Sequence, residues 1–267
     1  MDAKHTRRLT ALITGASGGI GAELARLFAA DGHDLILVAR SEQALARLSD
    51  ELGSRYSVAV RAVPADLSRP GAAERLWEDV AGPKGAVDIL VNNAGVGIYG
   101  PLADSALGGL QGMIELNVNA LTALTRLALP SMLGRGAGWV LNVASLAAYQ
   151  PGGPLMAAYY ATKAYVLSFT KGLARELEGS GVSVTALCPG PTKTAFEERS
   201  GAARTRMYRR GSGPSAAAVA RAGYRGLMRG RTVVVPGFLA KLLAIAGELP
   251  PRRIALEVNR LLLEREE

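Results

Sequence analysis

One cysteine in 267 residues, Cys188, leaves no partner for an internal disulfide, so a reducing cytoplasm is the expected setting. No stretch reaches the roughly 20 consecutive apolar residues that a bilayer span needs. Residues 1–8 are polar and basic with no apolar run behind them, and no signal peptide is expected. Internal repeats, low-complexity linkers and a clear domain break are also missing, which favours one domain over residues 1–267. Acids are missing from one long segment. Arg199 to Arg231 holds nine arginines (199, 204, 206, 209, 210, 221, 225, 229 and 231) and neither Asp nor Glu. Against a formal charge of +8 for the whole chain, the basicity is therefore local. Net charge is the sole pointer to nucleic acid, so no such partner is expected, nor is a metal centre.

What is present is core-forming material, with 49% of residues hydrophobic, ample for a large core at this length. Short apolar runs at 11–13, 35–38, 58–63, 89–91, 140–143, 182–187 and 233–235 alternate with stretches of helical periodicity. That rhythm predicts βαβ units: an α/β fold with a seven-stranded parallel sheet covered by helices on both faces.

The first junction carries the first chemistry. Ala11-Leu12-Ile13 runs into Thr14-Gly15-Ala16-Ser17-Gly18-Gly19-Ile20-Gly21, and residues 22–30 then show helical spacing. Strand, glycine turn and helix in that order predict a doubly wound, Rossmann-type dinucleotide site. Gly15 permits the tight turn, Gly19 lets backbone approach a pyrophosphate, and Gly21 lets the helix pack against the strand. Free N–H groups at the helix start suit the negative oxygens. NAD sites commonly place an acid at the end of the second strand. Here that position is Ala39, followed by Arg40, and a guanidinium suits a 2′-phosphate. NADP(H) is therefore expected in preference to NAD(H).

A second constellation lies in the middle of the chain. Ser145 follows the run at 140–143, a Gly/Pro-rich loop spans 150–154, and Tyr159-Tyr160-Ala161-Thr162-Lys163 opens a helical stretch. At i and i+4 on a helix, Tyr159 and Lys163 share a face. A nearby cation lowers a phenol's pKa from about 10, which suits Tyr159 to acid/base work on an oxygen, with Ser145 as a second hydrogen-bond partner.

With Thr14–Gly21, Asn92-Asn93-Ala94-Gly95, Asn117, Ser145, Tyr159/Lys163 and Pro189-Gly190 in this order, the chain resembles short-chain dehydrogenases/reductases from about Leu9 to Gly237. The Tyr159 region and residues 182–191 are most similar to bacterial oxidoreductases of broad or unassigned substrate range. The resemblance implies a catalytic set of Asn117, Ser145, Tyr159 and Lys163. Lys163 would also hold the nicotinamide ribose, and Asn117 would distort its helix and support a proton relay. Ser17 and Ile20 join Gly15, Gly19 and Gly21 as cofactor contacts. Asp66, followed by Leu67, matches the acid that meets the adenine amino group, although as a residue it could equally cap the helix after Pro70. Asn93, Ala94 and Gly95 would line the adenine ribose. Pro189, Gly190 and Thr192 would meet the nicotinamide end. Thirteen residues separate Ser145 from Tyr159, where about twelve are expected, which points to an insertion near Gly152-Gly153.

The implied activity is hydride transfer between NADP(H) and a carbonyl or secondary alcohol; the alternative is a cofactor-binding sensor or scaffold without turnover. The basic segment at about 192–230 would form a lid, open to an anionic substrate, to solvent or to anionic lipid. The leucine-rich tail at about 237–267, beside Arg252, Arg253 and Arg260, would form helices that close the pocket, pack a homodimer or homotetramer, or rest on a membrane surface.

Overall fold

The computed structural model describes residues 8–81, 87–206, 213–248 and 252–264. Arg209 and Arg210 of the basic segment, and the side chains of Arg252 and Arg253, lie outside the described residues.

Each of the seven apolar runs forms a strand: β1 (Thr10–Thr14), β2 (Asp34–Ala39), β3 (Val60–Pro64), β4 (Ile89–Asn92), β5 (Gly138–Val143), β6 (Val182–Leu187) and β7 (Val233–Val234). They build one parallel sheet in the order β3-β2-β1-β4-β5-β6-β7. The third strand starts later than its apolar run. Ser57 takes a left-handed turn, φ 54°, and the Ala59 N–H is held by Asp34 Oδ1 at 2.8 Å, so pairing begins at Val60.

Side chains alternate across each strand, and the core divides accordingly. Ala11, Ile13, Leu35 and Leu37 face one side, against α1 (Gly19–Ala30), α2 (Glu42–Tyr56) and a later helix at 216–228. Leu12, Ile36, Val38 and Leu90 face the other, against α3 (Ala72–Ala81) and two longer helices. Those helices follow α4 (Leu107–Ile114): α5 (Leu121–Arg135) and α6 (Ala157–Glu176). Then come α7 (Phe196–Ser200), α8 (Ala216–Met228), α9 (Phe238–Glu248) and α10 (Arg252–Leu263).

Strand order reverses between β1 and β4. In such sheets ligands bind outside the carboxyl ends of the strands at that switch point. The carboxyl ends of β1, β2, β4, β5 and β6 lead directly into the residues singled out from the sequence.

Candidate active site

The glycine turn is an interlocked cradle. Gly15 has φ +66°, and a Cβ there would stand 2.8 Å from Asn93 Nδ2. At Gly21 a Cβ would lie 2.4 Å from the Gly15 carbonyl oxygen and 2.5 Å from Asn93 Nδ2. Only glycine lets the start of α1 sit this close to β1 and β4. Thr14 and Asn93 bolt the two strands together. Thr14 Oγ1 accepts from the N–H groups of Asn93 and Ala94, both at 3.0 Å, and Asn93 Nδ2 donates to the Thr14 carbonyl at 2.9 Å. Ser17, Gly18 and Gly19 line a pocket of about 480 Å³ shared with Lys193 and Thr194. Ile20 is partly buried and packs against the core. Leu67 is likewise buried in the opposite core layer.

Arg40 is exposed at the end of β2, near Asp66. Both the N–H and the hydroxyl of Ser68 donate to Asp66 Oδ1, at 3.2 and 2.6 Å. These bonds, with attraction from Arg40 and Arg69, hold the Asp66 carboxyl below its usual range. Helix α3 starts only at Ala72, so Asp66 closes its own turn and does not cap that helix. On the far side of the switch point, the Leu146 N–H donates to the Pro189 carbonyl at 2.8 Å. Thr192 is buried, its hydroxyl donating to the Gly190 carbonyl at 2.8 Å.

Ser145, Tyr159, Lys163 and Asn117 converge beside this cradle. Ser145 lies two residues beyond β5 and its hydroxyl, which accepts from Ala147 N–H at 3.2 Å, is the hydrogen-bond partner of the Tyr159 phenol. In the loop between them Leu155 takes the left-handed region, φ 66°. Lys163 is buried and donates to the Val143 carbonyl at 2.9 Å; its Nζ lies 5.9 Å from the Tyr159 ring centre. Gly95 admits both Lys163 and Asn117, since a Cβ there would meet their polar atoms at 3.2 and 3.3 Å.

The electrostatics correct one expectation. Burial drives the Tyr159 pKa up to about 12, against the lowering by Ser145, because the buried phenolate loses its water. Burial also drives Lys163 down, to about 8. Since the folded value lies below the ordinary 10.5, the unfolded chain binds more protons between about pH 8 and 10.5. This lysine's contribution to stability must therefore rise with pH across that window, by at most about 1.4 kcal/mol per pH unit. Urea unfolding of the wild type and Lys163→Met in parallel should show the wild type gaining on the variant from pH 8 to 10; a constant difference would contradict the shift.

Asn117 sits in a π-helical turn, residues Glu115–Ala120, between α4 and α5. Its side chain grips the backbone of Val96, accepting from the N–H at 3.0 Å and donating to the carbonyl at 2.9 Å. It also donates to Thr162 Oγ1 at 3.0 Å. The wider turn turns a mid-helix asparagine inward and satisfies it, as π-bulges at functional sites do. Asn119 instead points outward and donates to Glu115 Oε2 at 2.7 Å.

Two contributors escaped the sequence reading. Thr162 joins Asn117 to the Tyr159 carbonyl, to which it donates at 2.7 Å; its place three residues after Tyr159 was the available signal. The Phe196 ring lies against Tyr159, centroids 5.4 Å apart, and with Met156 and Tyr99 belongs to the apolar cluster around that tyrosine. Helix α10 then closes over it: Tyr99 Oη donates to the Leu263 carbonyl at 2.5 Å and Asn259 to the Gly152 carbonyl at 2.7 Å. Of the alternatives open for the tail, these contacts are those of a helix set against the loop at 150–154 and Tyr99.

A family model described as short chain dehydrogenase matches residues 9–205. The chain belongs to the short-chain dehydrogenase family. Within this family, ketoacyl reductase HetN from Nostoc sp. is 37% identical over 184 residues, covering 68% of this chain and 62% of that protein. The match thus spans about three fifths of the length of the first curated relatives. Among solved structures, the short-chain dehydrogenase from Sphingobium yanoikuyae in complex with NADPH is 35% identical, with a TM-score of 0.80 over 90% of this chain and 92% of its own. A short chain dehydrogenase/reductase from Burkholderia phymatum in complex with NAD is 28% identical, with a TM-score of 0.80 over 97% of this chain and 98% of its own.

Proposed function

We propose that this short-chain dehydrogenase is an NADP(H)-dependent oxidoreductase acting on an apolar carbonyl compound or the corresponding secondary alcohol. The observation that carries this reading is the convergence of the Ser145–Tyr159 hydroxyl pair with Lys163 and Asn117 beside the glycine cradle. The cradle fits a dinucleotide: glycine is required where backbone must crowd, and α1 offers its N-terminus there. Gly15, Ser17, Gly19 and Gly21 would hold the pyrophosphate side, Arg40 the 2′-phosphate, Asp66 and Asn93 to Gly95 the adenosine, and Pro189, Gly190 and Thr192 the nicotinamide end. Bound NADPH supplies the hydride.

The protein's own work is on the oxygen. Tyr159, held neutral by burial, donates its proton to the carbonyl oxygen as that atom becomes an alkoxide. Ser145 donates a hydrogen bond to the same oxygen. Lys163 orients the ribose, and Asn117 with Thr162 carries the proton relay behind Tyr159. The apolar wall of Met156, Phe196 and Tyr99 favours a bulky, uncharged substrate. An anionic one has less support, because Arg206 of the basic segment is turned to Glu264, at 3.9 Å. A homodimer or homotetramer in the cytoplasm completes the reading.

The deciding experiment follows NADPH consumption by purified protein against a panel of ketones, aldehydes and 3-oxoacyl thioesters. Turnover of a ketone supports the reading, and none across the panel with NADPH bound favours a sensor. Arg40→Ala tests the cofactor choice. Losing a charge-assisted contact should raise the KM for NADPH roughly ten- to a hundredfold while leaving NADH little changed. Equal changes for both would remove Arg40 from 2′-phosphate recognition.

A further inference from the structure

Far from the glycine cradle, at the β7 edge of the sheet, a pocket of about 260 Å³ is lined by Arg225, Arg229, Arg231 and Lys241 with no carboxylate in its wall. All four cations are exposed, and none pairs with an acid among the described residues. Four uncompensated positive charges in one pocket repel each other, so the arrangement is waiting for anions.

The helix that supplies Lys241 is inverted in polarity. In α9 Phe238, Leu242 and Ile245 stand outward at i, i+4 and i+7, with Leu239 alongside, while small Ala244 faces in. Phe238 is 78% exposed and Leu239 69%. Helix α10 repeats the pattern: Ile254, Val258 and Leu261 are outward at the same spacing, Ile254 62% exposed, while Leu263 and Asn259 face the protein. Two consecutive helices with apolar outer stripes, beside a cluster of unpaired cations, match an interfacial element whose apolar side chains enter the acyl boundary while its cations meet phosphate. A second copy of this chain fits less well. A two-fold contact uses the same patch on both copies, which would bring two Arg225, Arg229, Arg231 and Lys241 clusters into one interface.

We propose that the face formed by the α8 end, β7, α9 and α10 docks on an anionic phospholipid bilayer, with headgroup phosphates in the arginine-lined pocket and the outer stripes of α9 and α10 in the acyl boundary. No helix among the described residues is long and apolar enough to cross a membrane; the attachment proposed is to one leaflet. The inner sides of α9 and α10 reach the loop beside the candidate active site, through Leu243 carbonyl to Gln150 and Asn259 to Gly152. An apolar substrate dissolved in the bilayer would thus meet the site's own cover.

The test is co-sedimentation of the full chain with vesicles of pure phosphatidylcholine and of phosphatidylcholine with phosphatidylglycerol. Binding is expected only to the anionic vesicles, weakening as salt is added. Each cation removed near the surface should lower partitioning about fivefold, so R225Q/R229Q/R231Q together should lower it roughly a hundredfold. F238S/L242S/I245S should also release the protein, and in this case at low salt too. These positions are exposed, and unchanged circular dichroism keeps the comparison valid. No pelleting with anionic vesicles overturns the proposal. So does pelleting that ignores both sets of changes, or a dimer in solution that F238S/L242S/I245S dissociates while wild type ignores vesicles, which would make this face a self-contact.

Discussion

Tyr159→Phe is expected to lower kcat for carbonyl reduction by roughly 10²–10⁴ while the Kd for NADPH stays within about twofold. The change removes one hydroxyl from a buried ring whose packing against Phe196 and Tyr160 is otherwise kept, so binding and fold have no reason to move. Its counterpart, Tyr160→Phe, should leave kcat near wild type. Tyr160 is also buried and its pKa is also raised, but the hydroxyl partner Ser145 belongs to Tyr159. Rapid single-turnover measurements with saturating NADPH distinguish a lost proton donor from lost affinity. A Tyr159→Phe variant with near-wild-type turnover would remove this tyrosine from the chemistry and leave Tyr160 or a water to supply the proton.

Gly21→Ala should be strongly damaging despite its small size. Alanine normally gains nearly 1 kcal/mol over glycine inside a helix, so propensity alone forecasts stabilisation. The added methyl, however, would sit 2.4 Å from the Gly15 carbonyl oxygen, a backbone atom with nowhere to go. Overpacking of this kind costs about 1–3 kcal/mol and outweighs the propensity gain. To relieve it α1 must move off β1, which also breaks the Asn93 contacts and the approach of a pyrophosphate. A loss of several degrees in Tm together with collapse of NADPH binding is expected, read by thermal unfolding and fluorescence titration. Gly18→Ala is the control: nothing lies within 4 Å of its Cβ position, and its φ of 175° suits any residue. If Gly21→Ala were as harmless as Gly18→Ala, the cradle would be looser than its distances imply.

Much of this was legible in the chain itself. Alternating apolar runs determined the seven strands, because a parallel sheet buried on both faces needs continuous hydrophobic segments. Spacing determined the glycine cradle and the Tyr159/Lys163 pair, because local geometry is set by neighbours in sequence. Asn117 came from the resemblance, which implies a distorted helix there, and the distortion is a π-helical turn that gives the asparagine Val96 and Thr162 as partners.

Tertiary structure alone decided the rest. Whether Lys163 lowers the Tyr159 pKa depends on how much water remains, and burial reverses the sign that i,i+4 proximity suggests. The seating of Phe196 on Tyr159, and of Leu263 under Tyr99, depends on segments distant in sequence meeting in space. Leucine-rich periodicity in the tail could equally have meant inward or outward stripes, since a helical repeat fixes which residues share a face but not which way that face turns. Asn259 is buried against the 150–154 loop and Leu263 in the cluster beside Tyr99, which leaves Phe238, Leu242, Ile254 and Val258 outside. Direction is a property of the neighbours, and only the folded chain has them.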